Sequence, residues 1–245
     1  MRLLLLSNST NHASGYLEHA IDTVTPFLAD TRLTFVPYAL ADRDAYTAKV
    51  AAALDPHGVE VRGLHAAHDP VAAVAEAEAV FVGGGNTFRL LDTLQRFGLL
   101  DVLRRRVLEG MPYMGASAGT NIAGPTIRTT NDMPIVEPAS FGALGLVPFQ
   151  LNPHYLDADP NSTHRGETRE QRLTEFLEEN DLPVLGLREG TWLAVDDDGA
   201  RIGGTAVSAA APGPAVVFSR TAGRREVSGD VSELFTEESR SGHVA

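Results

Sequence analysis

Cysteine is absent from the 245-residue chain, and this absence excludes more chemistry than any other feature of the composition. Disulfide bonds, thiolate metal ligands and a cysteine nucleophile are all ruled out. Nucleophilic catalysis would therefore depend on a hydroxyl, carboxylate or imidazole group.

Basic residues are scarce, since 20 Lys and Arg stand against 32 Asp and Glu and give a formal net charge of -12. The short run Arg104-Arg105-Arg106 falls on a predicted helix in an otherwise acidic chain. This balance argues against a nucleic-acid partner. An acidic chain also repels acidic small molecules at long range, so an acidic substrate would need a local arginine to bind it.

Long apolar runs are missing as well, because no segment approaches the roughly twenty apolar residues of a membrane span. The run Leu3–Leu6 is too short for the apolar region of a signal peptide and leads directly into a polar turn. It is typical of a buried strand. We therefore predict no membrane partner and a cytoplasmic location.

Short apolar segments alternate with helical patterns along the first half of the chain. Strands are predicted at 2–7, 33–38, 59–64 and 79–82, and helices at 15–29, 44–54, 69–78 and 87–108. This order predicts an α/β fold with a mostly parallel sheet flanked by helices, in which catalytic residues lie beyond the carboxyl ends of the strands. We predict a single domain over residues 1–236 and a polar, frayed tail at 237–245.

The second half of the chain has a different composition. Residues 122–148 are rich in Thr, Pro, Gly and Asn and are predicted to be irregular, which in a compact domain usually indicates a functional segment. A helix is predicted at 167–180, followed by short strands that include 184–187 and 191–195.

Ser117 lies in Gly115-Ala116-Ser117-Ala118-Gly119, which fits the pattern G-x-S-x-G. Small residues on both sides allow a sharp strand-to-helix turn that exposes the serine hydroxyl. The same turn directs backbone N–H groups, beginning with that of Ala118, toward a developing oxyanion. A tightly packed connection without a chemical role is the alternative. Ser117 follows the apolar run Pro112-Tyr113-Met114, however, and a location at the carboxyl end of this predicted strand favours catalysis.

The run Gly83-Gly84-Gly85-Asn86-Thr87 also connects a predicted strand to a predicted helix. It matches neither the dinucleotide fingerprint nor a Walker sequence with its lysine, so nucleotide binding is disfavoured. Simple turn geometry is a second interpretation. Given a candidate nucleophile, an oxyanion-hole loop is the interpretation that explains most, because glycine lets a backbone N–H approach the reacting carbonyl.

A serine nucleophile needs a base, and His154 has the most distinctive position of the eight histidines. It follows Pro153, which restricts the backbone just before the imidazole. Asp132 and Glu189 are both candidates for the acid that orients the ring. A turn-capping aspartate and a loop glutamate are the alternative interpretations, and the residue pattern leaves the choice open.

Eight segments of the chain together resemble the S51 family of serine peptidases. They are Leu3–Thr10, Asp44–Lys49, Val82–Phe88, Gly115–Asn121, Pro125–Pro134, Asn152–His154, Gly166–Arg172 and Gly186–Trp192. The resemblance extends over most of residues 1–210. The segments that begin at Pro125 and Gly166 are long enough to be specific.

The resemblance implies a glutamine amidotransferase-like (flavodoxin-like) arrangement with serine in place of the amidotransferase cysteine. It implies Ser117 as nucleophile and His154 as general base. For the third member it favours Asp132, with Glu189 as the rival. The expected oxyanion donors are the N–H groups of Gly85 and Ala118.

The family cleaves dipeptides that begin with L-aspartate, so the resemblance implies an Asp-X dipeptide as substrate, without a metal or organic cofactor. Arg169 matches the family position implied in binding the aspartate side chain, and a guanidinium can hold a carboxylate with two hydrogen bonds. Arg128 is a second candidate for that role. Asn86 and Thr87 are further candidate substrate-binding residues.

Two other functional classes remain at this stage. A serine esterase or amidase of different specificity would use the same elbow, since Asp132 before His154 also satisfies the triad order of α/β-hydrolases. A non-catalytic module that binds small molecules on the same scaffold is the other class. Preference for aspartyl amides over simple esters would favour the peptidase, and inertness to a fluorophosphonate probe would favour the binding module.

Overall fold

A computed structural model of the protein describes residues 1–29, 31–159, 163 and 166–236. The tail predicted at 237–245 lies outside the described residues. Within them, the expected α/β arrangement with a large central sheet flanked by helices is confirmed.

The large sheet has eight strands in the described part of the chain. In spatial order they are β12 (Gly229–Asp230), β9 (Gly199–Gly204), β8 (Thr191–Asp196), β1 (Leu3–Leu6), β5 (Tyr113–Ala116), β4 (Ala79–Val82), β2 (Leu33–Val36) and β3 (Val61–Gly63). The strands from β1 to β3 in this order are parallel, whereas β8, β9 and β12 add an antiparallel edge. The parallel portion was expected from the alternation of strands and helices.

A second, four-stranded sheet was not expected. Its order is β11 (Gly223–Val227), β10 (Ala215–Ser219), β7 (Val184–Arg188) and β6 (Gln150–Tyr155). Strands β6 and β7 run parallel, and β10 and β11 complete the sheet in antiparallel pairs.

The described helices are α1 (Ile21–Phe27), α2 (Arg43–Leu54), α3 (Pro70–Ala75), α4 (Thr87–Arg96), α5 (Leu99–Leu108), α6 (Ala118–Asn121) and α7 (Arg169–Glu179). The single helix predicted at 87–108 is wrong, because the chain breaks between α4 and α5. Gly98 adopts a left-handed conformation there, with φ of 65°. Glycine carries no Cβ to oppose this conformation and so commonly ends a helix.

The alternation along β1 divides the hydrophobic core between the two faces of the large sheet. Leu3 and Leu5 pack with the apolar residues of α4 and α5, whereas Leu4 and Leu6 pack with those of α1 and α2. A strand that is apolar on both faces is what a parallel sheet covered by helices requires. All four leucines are buried.

The small sheet is also covered on both faces. Its inner face joins the core beneath α4 and α5 through residues such as Leu151 and Leu185. Its outer face packs on α7 through Leu173 and Leu177. As a result, the ends of β6 and β7 lie beside the carboxyl ends of β1 and β5, where the candidate site forms. None of the helices in the described ranges is long and apolar enough to cross a membrane.

Candidate active site

Ser117 occupies a strained turn between β5 and α6. Its backbone has φ of 51° and ψ of -108°, which is rare for a residue other than glycine. The Ser117 N–H donates a hydrogen bond of 3.1 Å to the carbonyl of Leu6 on the neighbouring strand. Such strain costs of order 1–3 kcal/mol and persists at functional sites where the surrounding structure enforces it.

The two glycines of the motif are required by close backbone contacts. A Cβ on Gly115 would lie 2.5 Å from the carbonyl oxygen of Gly119. A Cβ on Gly119 would overlap the carbonyl oxygen of Val82 on β4. The pattern G-x-S-x-G is therefore explained by the packing of α6 against β4 and β5.

The glycine loop after β4 lies directly against the serine. A Cβ on Gly84 would lie 3.0 Å from the Cβ of Ser117, and Gly85 has a positive φ of 133°. The N–H of Ala118 is at the first position of α6, where a helix has no internal acceptor for it. In the described part of the chain, neither this N–H nor that of Gly85 has a hydrogen-bond partner. Both are available to a developing oxyanion.

His154 lies near the end of β6 and is paired with a carboxylate. Its Nδ1 is 2.6 Å from Oε1 of Glu189, the residue that follows β7. An ionised carboxylate only accepts hydrogen bonds, so Nδ1–H donates and Nε2 is left as the basic nitrogen. The two side chains are 38% and 40% exposed, so a substrate can reach the ring.

Asp132, which the family resemblance favours as the third member of the triad, has other hydrogen-bond partners. Its Oδ2 accepts hydrogen bonds from the backbone N–H and the hydroxyl of Thr87, at 2.7 and 2.6 Å. This places the carboxylate at the N-terminus of α4, where free N–H groups favour a negative charge. The structure therefore pairs His154 with Glu189 and not with Asp132.

Two polar residues at the end of β1 support the catalytic candidates and were missed by sequence reasoning. The hydroxyl of Ser7 accepts the N–H of His154 at 2.9 Å and donates to the carbonyl of Leu187 at 2.9 Å. The side-chain oxygen of Asn8 accepts the N–H of Gly190, next to Glu189, at 2.7 Å. Polar residues directly after a fully buried parallel strand were the available signal.

We expect Ser7→Ala to lower kcat of a reaction that uses His154 by about 10 to 100-fold, with little change in KM. The reason is that the backbone N–H of His154 loses the hydrogen bond that helps to position the imidazole. The free energy of unfolding should also fall by about 1–3 kcal/mol, since a buried N–H and a buried carbonyl lose their partner. Steady-state kinetics and thermal unfolding measure the two effects. Ser14→Ala, which removes a hydroxyl bonded to Asn11 in the same region, serves as control. An unchanged kcat would contradict a positioning role for Ser7.

The residue before Glu189 anchors the end of β7. Arg188 is buried and pairs with Asp157 at 2.6 Å and with Glu226 at 2.8 Å. The hydrogen bonds from Arg188 hold the pKa of the Asp157 carboxyl below its usual value. These bonds connect β7 to β11 and to the segment after β6, so they fix the strand end from which Glu189 extends.

Arg169 is the first residue of α7, which begins with a capping box formed by Thr168 and Gln171. The guanidinium lines a cavity of about 350 Å³ together with Ser117 and Asp132. Burial lowers the pKa of Arg169, the neighbouring Arg172 lowers it further, and Asp132 opposes both. Its buried Nε has no hydrogen-bond partner among the described residues. A partly dehydrated guanidinium with a free N–H donor is suited to receive a carboxylate.

The remaining candidate binding residues divide between the site and its surroundings. Thr87 lines the cavity with Arg169. Asn86 is occupied structurally, because it caps α4 through the N–H of Arg89 at 3.0 Å and donates to the carbonyl of Met133 at 2.9 Å. Arg128 is exposed and contacts Asn180 at 3.4 Å, so the structure does not bring it to the cavity.

A second cavity, of about 710 Å³, meets the first at the serine. Ser117 and His154 line both cavities, whereas Gly85 lines only this second one and Ala118 only the first. A substrate that spans the serine would therefore have one part in each cavity, with its reacting carbonyl between the two candidate oxyanion donors.

The site combines a strained serine, an imidazole held by a carboxylate and two N–H groups without partners among the described residues, which is the set of groups that a serine hydrolase uses. The sequence profile described as Peptidase family S51 matches residues 3–203. The chain belongs to that family.

Relatives support the assignment over nearly the whole chain. "Peptidase E" of Streptomyces coelicolor is 64% identical over 96% of this chain and 95% of its own length. "Probable alpha-aspartyl dipeptidase" of Drosophila melanogaster is 54% identical over 81% of this chain and 84% of its own. Among solved structures, a peptidase from an acI-B1 Actinobacterium has a TM-score of 0.64 at 15% identity, with 93% of each chain covered, and shows the shared fold.

Proposed function

We propose that this protein is a serine dipeptidase that hydrolyses dipeptides with an N-terminal L-aspartate. The observation that carries the proposal is the smaller cavity, where Arg169, whose Nε has no hydrogen-bond partner among the described residues, and the Asp132 carboxylate lie beside the candidate nucleophile. An aspartyl residue with a free N-terminus carries the complementary charges, one carboxylate and one ammonium. The relatives named peptidase E and alpha-aspartyl dipeptidase support the same substrate class.

In the proposed complex, the β-carboxylate of the substrate pairs with the guanidinium of Arg169. Its ammonium pairs with Oδ1 of Asp132, which has no hydrogen-bond partner in the described part of the chain, whereas Oδ2 is held by Thr87. This contact would require a free N-terminus, so aspartyl residues inside a longer peptide would not fit. Both charges lie in a partly closed space, where ion pairs are stronger than in bulk water.

The proposed reaction proceeds through an ester of Ser117. The serine oxygen attacks the aspartyl carbonyl and gives its proton to Nε2 of His154, while Glu189 stabilises the resulting imidazolium. The N–H groups of Gly85 and Ala118 hold the oxyanion. The C–N bond then breaks, the leaving amine takes the proton from His154, and a water molecule deprotonated by the same ring hydrolyses the ester.

We expect Arg169→Gln to reduce kcat/KM for Asp-Leu by about 10 to 100-fold, because a charge-assisted contact with the substrate carboxylate is lost. Asn-Leu, which lacks that carboxylate, should be a poor substrate for both proteins, so the preference for Asp-Leu over Asn-Leu should largely disappear. Steady-state kinetics with the two dipeptides measures this preference.

Arg172→Gln is the matched control, since Arg172 lies on the same helix but pairs with Glu167 at 3.3 Å. It should retain the preference for aspartate. Equal loss of preference in both variants would contradict the assignment of Arg169. Efficient cleavage of simple p-nitrophenyl esters, with none of aspartyl p-nitroanilide, would instead favour an esterase.

A further inference from the structure

The larger of the two cavities at Ser117 has its own charged groups, which the contacts proposed for the aspartyl residue do not use. Arg89 and Lys49 line it, and in the described ranges no carboxylate forms an ion pair with either cation. The Lys49 ammonium lies 4.8 Å from the centre of the Tyr16 ring. Asp42 also lines this cavity, but its carboxylate caps α2 by accepting the N–H of Ala45 at 2.9 Å.

The position of Arg89 does not favour the stability of α4. It is the third residue of α4, and a cation in the first turn of a helix is opposed by the positive end of the helix dipole. The side chain is half-buried. A cation held here with no ion pair to any described residue is suited to bind an anion that enters the cavity.

The rest of the cavity wall is suited to an amino-acid side chain. Leu40, Ala41 and Ala45 are apolar, and the rings of Tyr16 and Tyr46 complete the wall. The Tyr16 and Tyr46 hydroxyls are hydrogen-bonded to each other at 3.2 Å. A Cβ on Gly83 would lie 2.6 Å from the Tyr46 hydroxyl oxygen, so this wall packs against the glycine loop.

We infer that this cavity binds the amino acid that follows aspartate, with Arg89, assisted by Lys49, holding its free carboxylate. The inference rests on the proposed function, which places the aspartyl residue in the other cavity. The scissile carbonyl then lies at Ser117, and the leaving residue extends past Gly85 toward α2 and the first turn of α4. Because the bound carboxylate belongs to the residue directly after aspartate, this contact would restrict hydrolysis to dipeptides. The apolar wall of the cavity would favour an apolar side chain on that second residue.

The test uses two substrates that share the aspartyl residue but differ in the leaving group. Asp-Leu presents a carboxylate to Arg89, whereas aspartyl p-nitroanilide has none. We expect Arg89→Gln to lower kcat/KM for Asp-Leu by about 10 to 100-fold, mainly through KM, and to change the anilide by less than about 3-fold. Lys49→Gln should also lower kcat/KM for Asp-Leu more than for the anilide, but by a smaller factor. Arg89→Lys should retain more Asp-Leu activity than Arg89→Gln.

Arg96→Gln is the matched control, because Arg96 lies on the same helix, pairs with Asp92 at 3.7 Å and does not line either cavity. It should leave both substrates unchanged. If Arg89→Gln lowers both substrates equally, or lowers neither, the inference is wrong. Failure of the proposed function has a different signature, which is the absence of aspartyl p-nitroanilide cleavage by the unaltered protein.

Discussion

Ser117→Ala should reduce Asp-Leu hydrolysis by about 10⁴-fold or more while the protein remains folded. In the proposed mechanism this residue forms the acyl-enzyme, so its loss removes the pathway and leaves only residual effects of binding and of the oxyanion donors. Alanine keeps the short side chain that the turn accommodates. The backbone bond from residue 117 to Leu6 does not involve the hydroxyl, so stability should change little.

Kinetics with Asp-Leu and thermal unfolding measure these two results. Ser219→Ala, at the end of β10 and far along the chain from the elbow, should retain full activity. Turnover by Ser117→Ala above about 1% of the unaltered rate, in a preparation free of the parent enzyme, would eliminate this residue as nucleophile.

Glu189→Gln should lower kcat by about 10³ to 10⁴-fold, because an amide in place of the carboxylate stabilises neither the imidazolium nor the tautomer with a free Nε2. Asp132→Asn should act differently. It weakens the proposed contact with the substrate ammonium, so we expect a loss of about 10 to 100-fold in kcat/KM that falls mainly on KM.

The rate of Ser117 labelling by a fluorophosphonate separates the two roles, because this reagent depends on the serine, the imidazole and its acid but not on an ammonium contact. Glu189→Gln should slow labelling strongly, and Asp132→Asn should leave it close to the unaltered rate. The reverse result, in variants with unchanged thermal unfolding, would restore Asp132 as the orienting acid.

The choice between these two carboxylates shows why part of the site could not be predicted from the sequence. Asp132 and Glu189 both lie within segments that resemble the family, and local pattern does not indicate which one approaches His154. Their distance from the ring depends on how β6 and β7 pair and on how the small sheet docks beside β1. Those are long-range contacts that the spacing of residues along the chain does not encode.

Local features were more predictable. Four buried leucines in succession indicated β1, and the G-x-S-x-G pattern indicated a strand-to-helix turn at Ser117, because each is determined by short-range packing and backbone sterics. The prediction of one helix at 87–108 failed where apolar spacing continued across Gly98. The small sheet escaped prediction because β6 follows the irregular segment 122–148, and its partners β7 and β10 come much later in the chain.

Arg169 illustrates the intermediate case. The acidic composition indicated that an acidic substrate would need a local arginine, and the resemblance to the S51 family made Arg169 the candidate. Its placement beside Ser117 depends on the capping box that starts α7 and on the packing of this helix against the small sheet. Its role in binding aspartate stays a prediction until the variants are measured.

Trapping the acyl-enzyme provides the most direct test of the proposed chemistry. The protein is mixed with aspartyl p-nitroanilide, quenched in acid during turnover, digested and analysed by mass spectrometry. The expected result is one added aspartyl group on the peptide that contains Ser117, absent from Ser117→Ala. Two results would contradict the mechanism. One is a measured product burst without an aspartyl adduct on that peptide, and the other is an adduct on a different residue.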